Sequence, residues 1–303
     1  MFTLLRSLTA AAAALCLLGA AHAQQQPDFS KVEIKTTPLA DNLYLLEGQG
    51  GTISALTGPE GVLLVDAQFA PLTDKLAAAV RKVSNQPIRF LVNTHVHGDH
   101  TGGNANFAKL GATLLSRDEL RDRLARPRPN ASGVPGQPAP AQALPTITYD
   151  GPVTVHLNGE DVRLIPIRGA HTDGDTLVQF VRHDVLATGD YYRSTGYPVV
   201  DLINGGTLKG LVDGLGATIA LAGPRTKIVP GHGPVVDRAA LVAHRDLLLA
   251  VRDKVIPLVA QGKTVDEVIA ARPTADFDAQ VPQAAQTSER FIRWLYADLK
   301  AAL

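Results

Sequence analysis

The chain has little sulfur and few rings: one cysteine, one methionine and one tryptophan in 303 residues, with aromatic side chains at 5%. Its only thiol, Cys16, lies within an N-terminal apolar stretch, so no internal disulfide and no thiolate metal cage can form. Charge of one sign is also missing, with 29 basic and 29 acidic residues. Without a basic surplus, nucleic acid and other polyanions are poor partners. A long apolar run is absent beyond Leu8–Ala21, which is short for a membrane span and has no second candidate after it. No Ser-His-Asp set and no phosphate-cradling glycine loop stands out either.

The N-terminus reads as a targeting segment. Arg6 supplies a positive charge, Leu8–Ala21 an apolar core, and Ala21-His22-Ala23 a small-residue cleavage pattern before Gln24. This predicts a signal peptide over 1–23, a flexible leader over 24–31 and an exported, periplasmic protein; an uncleaved anchor is the alternative. Cys16 then leaves with the signal. Of the 29 basic residues Arg6 leaves too, giving 28 against 29 acidic ones, a net charge near −1. Stable membrane insertion after signal removal is not expected.

What the chain has in abundance is histidine at strand ends. Thr94-His95-Val96-His97-Gly98-Asp99-His100 follows the strand-like Ile88–Asn93 and gathers three imidazoles and a carboxylate, donors that suit zinc. In an extended segment alternate side chains share a face, which predicts that His95, His97 and Asp99 project together while His100 reaches elsewhere. Such a loop serves two neighbouring ions better than one. Three more metal-type residues occupy similar settings, beside glycine and after an apolar run: His171 after Val162–Ile167, Asp190 after Val185–Ala187, and His232 in Pro230-Gly231-His232-Gly233. Singly, each is more often a plain loop residue; together they argue for a site.

These motifs resemble the metallo-β-lactamase superfamily, whose pattern is HxHxDH, a distant His, a distant Asp or Cys, and a final His. The resemblance covers roughly Val32 to His244 and implies a single-domain α/β fold, the αββα metallo-β-lactamase sandwich, over 32–303. It implies two zinc ions, one on His95, His97 and His171, the other on Asp99, His100 and His232, with Asp190 bridging. It also implies that Asp66, ending Val62–Val65, braces the metal loop. Asp99 is the expected catalytic side chain, orienting the nucleophile or carrying a proton. Asp190 stands where many true β-lactamases carry Cys, a departure shared with the glyoxalase II, lactonase and phosphodiesterase branches. His97 replaces the Glu of the flavodiiron branch and disfavours electron transfer.

The implied activity is zinc-dependent hydrolysis of a small-molecule substrate, a cyclic amide or ester such as a β-lactam or lactone, by hydroxide generated at the metals. A glyoxalase II-type thioesterase or a phosphodiesterase is the alternative, and a mononuclear iron persulfide dioxygenase a third. The oligomeric state is left open.

Periodicity predicts alternating strands and helices, among them a helix over 72–83 with Leu76, Ala79, Val80 and Val83 on one face. Helices over 207–222, 238–259, 264–271 and 288–303 follow, so that 246–303 is a C-terminal helical region. Arg126–Pro145 holds six prolines and reads as a loop, either over the active site or a plain insertion. His156, His183 and His244 read as surface or strand residues, and Trp294 with Phe291 and Leu295 as core. Asp173 and Asp175 are candidates for orienting imidazoles, and Asn204 and Lys209 for meeting a substrate carboxylate. Tyr191, Tyr192 and Tyr197 either face the cleft or pack.

Overall fold

A computed structural model describes residues 28–302; the signal-peptide expectation and residues 24–27 of the leader lie outside them. Among the described residues no helix is long and apolar enough to cross a membrane. Residues 28–31 are not loose. The Asp28 carboxylate caps a 3-10 turn, Phe29–Lys31, and the Lys75 ammonium collects the carbonyls of Phe29, Ser30 and Val32 at 2.7–2.9 Å.

Among the described residues twelve strands form two sheets. β1 (Lys35–Ala40), β2 (Leu43–Glu47), β3 (Ile53–Leu56), β4 (Val62–Val65), β5 (Ile88–Val92), β6 (Thr113–Arg117) and β7 (Ile147–Tyr149) lie side by side in chain order. β8 (Val153–Leu157), β9 (Glu160–Pro166), β10 (Thr176–Phe180), β11 (Val185–Ala187) and β12 (Lys227–Val229) make the second sheet, also in order from β8 to β12. Alternation decides which face each residue serves. On β4, Leu63 and Val65 point into the layer between the sheets, while Val62 and Leu64 point outward under the helices. All four are buried, which is why this strand reads as a continuous apolar run.

The helices cover both outer faces and complete the αββα sandwich. α1 (Thr73–Arg81) lays Leu76, Ala79 and Val80 on the first sheet; Val83 falls beyond its last turn and is half-buried. α2 (Gly98–Thr101), α3 (Asn104–Lys109) and α4 (Asp118–Ala125) are short. α5 (Leu208–Leu221), α6 (Arg238–Ala260), α7 (Val265–Ala270) and α8 (Ala284–Ala302) follow, and α5–α8 pack into the cluster outside the second sheet. α8 begins a turn earlier than the sequence predicts. Thr287 holds that turn, donating to the Gln283 carbonyl and accepting from the Tyr197 N–H.

Strand direction positions the site. β4 and β5 run parallel, as do β11 and β12. β9 is antiparallel to β10, and β10 to β11, so β9 points the same way as β11. The segments leaving β9, β11 and β12 therefore emerge at one edge, the usual place for ligands in such sheets. Thr176 N–H donates to the Thr94 carbonyl (2.8 Å) and Thr52 N–H to the Gly231 carbonyl (2.8 Å), joining that edge to the loop after β5 and to the turn between β2 and β3.

Candidate metal centre

Seven side chains converge there in two groups. His95, His97, His171 and Asp190 bring one donor atom each within 4.8 Å of one another, and so do Asp99, His100 and His232. The alternation expected along residues 95–100 does not hold. The chain is extended only as far as His97, then turns at Gly98 into α2, which swings Asp99 and His100 together toward His232. The pairing implied by the family resemblance describes the geometry better than alternation does.

Four of the five imidazoles are held by the nitrogen facing away from the centre. His171 Nδ1 donates to the Val199 carbonyl (2.8 Å) and His100 Nδ1 to Asp66 Oδ2 (2.7 Å). His97 Nε2 donates to Asp201 Oδ2 (2.8 Å), and His95 Nδ1 lies 3.1 Å from Thr94 Oγ1. Anchoring one nitrogen fixes the tautomer and aims the other. The consequence is a pair of lone pairs facing each other, His97 Nδ1 and His171 Nε2, only 3.0 Å apart. His95 Nε2 and Asp190 Oδ1 are buried without a hydrogen-bond partner. Crowded bare nitrogens and an orphaned carboxylate oxygen are costly unless a cation sits among them. The donor set therefore fits divalent metal.

Asp190 stands between the groups. Its Oδ1 is 3.2 Å from His100 Nε2, and its Oδ2 is 3.3 Å from His232 Nε2 and 3.9 Å from His171 Nε2. Close approach of the backbone makes this possible. A Cβ on Gly231 would overlap Asp190 Oδ1, and one on Gly189, at φ +57°, would overlap Thr94 Oγ1. Asp99 is more open; its Oδ2 lies 3.1 Å from His232 Nε2. Burial opposes ionisation of both carboxylates. The His100 charge is the largest influence holding Asp190 well below the usual range, and the His232 hydrogen bond lowers Asp99.

Asp66 braces the loop as expected. Held at φ +70°, it accepts from the Thr94 N–H and hydroxyl, both at 2.7 Å, and from His100. Asp201 was not legible as a site residue. Asn204 Nδ2 (2.6 Å) and the N–H groups of Ile203 and Asn204 (3.0 Å each) fix its carboxylate against His97. Only the Asn204-Gly205-Gly206 turn signal hints at an ordered carboxylate there.

Several expectations change. Asp175 accepts from the backbone N–H of His171 (2.6 Å), not from an imidazole, and Asp173 pairs with Arg123. Asn204 is spent on Asp201, and Lys209 pairs with Asp213 on an exposed face. Tyr191 and Tyr197 are buried and hydrogen-bonded, to Thr218 and to Asp278, so both pack. Trp294 is core, donating to the Pro198 carbonyl (2.9 Å). His244 is not on a strand; it sits half-buried on α6, its ring nearly perpendicular to that of Tyr192, 4.9 Å between centroids. The Pro-rich segment reaches the rim of the site, where Arg128 donates to the Ile203 carbonyl (3.0 Å), two residues from Asp201.

The model of the metallo-β-lactamase superfamily matches residues 46–232, from β2 to the last histidine of the centre. The chain belongs to the metallo-β-lactamase superfamily. As a member it is a metal-dependent hydrolase, and its fold is shared by solved structures at low identity. The stereoselective inverting sec-alkylsulfatase Pisa1 from Pseudomonas sp. has a TM-score of 0.66 at 16% identity, covering 87% of this chain. This chain spans only 50% of that one. A metallo-β-lactamase from Pontibacter korlensis aligns with a TM-score of 0.56 at 20% identity, over 72% of this chain and 99% of its own. The DIM-1 metallo-β-lactamase gives 0.57 at 17%, over 72% and 98%.

Proposed function

We propose that this superfamily member is an exported zinc hydrolase that holds two zinc ions, and that it opens a cyclic amide or ester. The observation carrying the two-metal reading is the Asp190 carboxylate, whose two oxygens address donors of both groups. His95, His97 and His171 would hold one ion, Asp99, His100 and His232 the other, and Asp190 would touch both. Zinc suits a set of five imidazoles and two carboxylates. Two such ions, when bound, supply Lewis-acid polarisation of the scissile group and acidify water to near neutral pH.

The chain's own residues supply the rest. Asp99 Oδ2, at the open side of the centre and beside His232, is placed to orient the attacking water and carry its proton to the leaving group. Asp66, Asp201 and the Val199 carbonyl keep the imidazoles aimed before substrate arrives, so little reorganisation is needed during the reaction. The signal-like N-terminus favours substrates met outside the cytoplasm, β-lactams or lactones. A second reading, a glyoxalase II-type thioesterase or phosphodiesterase, draws on the same Asp190 carboxylate. The alkylsulfatase among the fold neighbours adds sulfate esters to the classes worth assaying.

Metal analysis of the purified mature protein, with assays on a β-lactam, a lactone, a thioester, a phosphodiester and an alkyl sulfate, tests this. About two zinc per chain with lactam or lactone turnover supports the proposal. One iron per chain with no activation by zinc overturns it and moves the assignment to persulfide oxidation.

A further inference from the structure

Beside the metal centre, and lined by none of its seven candidate ligands, a cleft of about 520 Å³ lies between residues 192–196, α6 and the 277–282 segment. Leu247, Ala250, Phe277 and Val281 give it an apolar wall. Two basic side chains also line it, Arg193 and His244, and each carries a buried nitrogen with no partner, Arg193 Nε and His244 Nε2. Leaving such groups unmet costs about 1–3 kcal/mol apiece, so these two positions call for an acceptor.

Positive charge predominates around them. Burial, then the Arg193 charge, pulls the His244 pKa down to about 4, so the imidazole is neutral near pH 7 and free to donate from Nε2. Arg290, on α8, has its pKa lowered by burial and by the Arg193 charge, against a smaller opposing pull from Asp190, which places the two guanidinium groups within electrostatic reach of each other. Among the described residues neither Arg193 nor Arg290 pairs with a carboxylate, whereas Arg245, Arg252 and Arg293 nearby each do. Asp246, the acid lining the cleft, is taken by Arg245 at 2.8 Å. Arg290 is exposed, but Arg193 is half-buried, and a guanidinium withdrawn from water without a carboxylate is unfavourable unless an anion meets it.

We propose that this cleft binds a small amphipathic organic anion, its alkyl or aryl body against Leu247, Ala250, Phe277 and Val281 and its anionic group on Arg193 and His244. The site shares a wall with the metal centre. Ser194 N–H donates to the His232 carbonyl (3.0 Å) and Gly231 N–H to the Tyr192 carbonyl (3.2 Å). A ligand seated on residues 192–194 therefore presses on the segment that carries His232. The site stands apart from whichever bond the metal centre cleaves.

Calorimetric titration of the metal-loaded full chain with octane-1-sulfonate tests it, since sulfonate is a weak metal ligand. Octan-1-ol and inorganic sulfate serve as the neutral and chainless controls. Saturable one-to-one binding is expected, with each control at least about tenfold weaker, as a charge-assisted contact and an apolar wall each contribute on that scale. Arg193→Gln should weaken binding by about tenfold or more. Ala243→Trp, at an exposed position lining the cleft, should block it while the fold persists by circular dichroism. If Arg193→Gln fails to fold, Ala243→Trp decides alone. Wild-type affinity in either folded variant, or octan-1-ol binding as tightly as the sulfonate, overturns the proposal. Because binding is read directly, the outcome is independent of turnover on any substrate in the panel.

Discussion

The two groups of the metal centre use the same side chain in opposite electrostatic settings. In the first, burial and mutual repulsion among imidazoles push His95 well below the usual histidine pKa and His171 down to about 4. In the second, burial again resists charging, but Asp190 and Asp66 raise His100 far above its usual value, and Asp190 with Asp99 raises His232. In the first group His95 and His171 are held neutral and offer lone pairs as they stand. The second is a carboxylate-rich nest that already stabilises positive charge. A histidine's role follows from what faces it, and Asp190, common to both, links the two environments.

The largest effect that could break this comparison comes from removing ligands. His95→Ala and His232→Ala should each lower turnover by about 10³-fold or more, since polarisation by a metal contributes several kcal/mol. Metal content should fall in both, while His156→Ala, whose imidazole is exposed and paired with Asp161, should match wild type. Loss at His95 without loss at His232 would make the second group structural.

Next in size is the brace beneath both groups. Asp66→Ala strands the Thr94 N–H, the Thr94 hydroxyl and His100 Nδ1 in a buried site, and should cost about 3–5 kcal/mol in denaturant midpoint analysis. A cost below about 1 kcal/mol would show that metal binding, not Asp66, holds the loop.

A finer test addresses the cage alone. Asp201→Ala frees His97 Nε2 and should weaken metal binding by about 10–100-fold at the first group, leaving the second nearly intact. Competition with a chromophoric chelator resolves the two sites, and equal weakening at both would refute the separation. Asp201→Asn should recover part of the loss, because the amide oxygen still accepts from the imidazole.

The smallest effect lies outside the centre. His244 has its pKa lowered to about 4 from 6.5 by burial, so its stabilising neutral form is complete above about pH 6.5 and is lost as pH falls toward 4. By pH 5 this should remove about 2 kcal/mol relative to pH 7.5. His244→Gln, with no proton to take up, should show a drop smaller by that amount in urea melts. An unchanged drop would place His244 in contact with water.

Legibility in the sequence followed the range of the physics. β4 and β11 coincide with the apolar runs Val62–Val65 and Val185–Ala187, because a strand buried on both faces leaves no polar interruption. Helix α1 was visible in the spacing of Leu76, Ala79 and Val80. The seven ligand candidates were visible because imidazole and carboxylate beside glycine at strand ends make a local signal. His244 was misplaced, since helical periodicity in 238–260 says nothing of what covers each face. Asp201 was invisible for a related reason: it lies 104 residues from the histidine it orients, and no short-range pattern encodes that contact.

By itself the sequence determined the superfamily, the strand and helix inventory and the donor atoms, all of which rest on local periodicity and residue chemistry. Local pattern did not divide the donors into two groups; the family resemblance implied the division, and the tertiary structure shows its physical cause. That division depends on the turn into α2 at Gly98 and on the parallel pairing of β11 with β12, which bring Asp190 and His232 to the same edge. Tertiary structure alone decided the sign of each histidine's pKa shift, because burial and neighbouring charge belong to the folded environment and not to the residue.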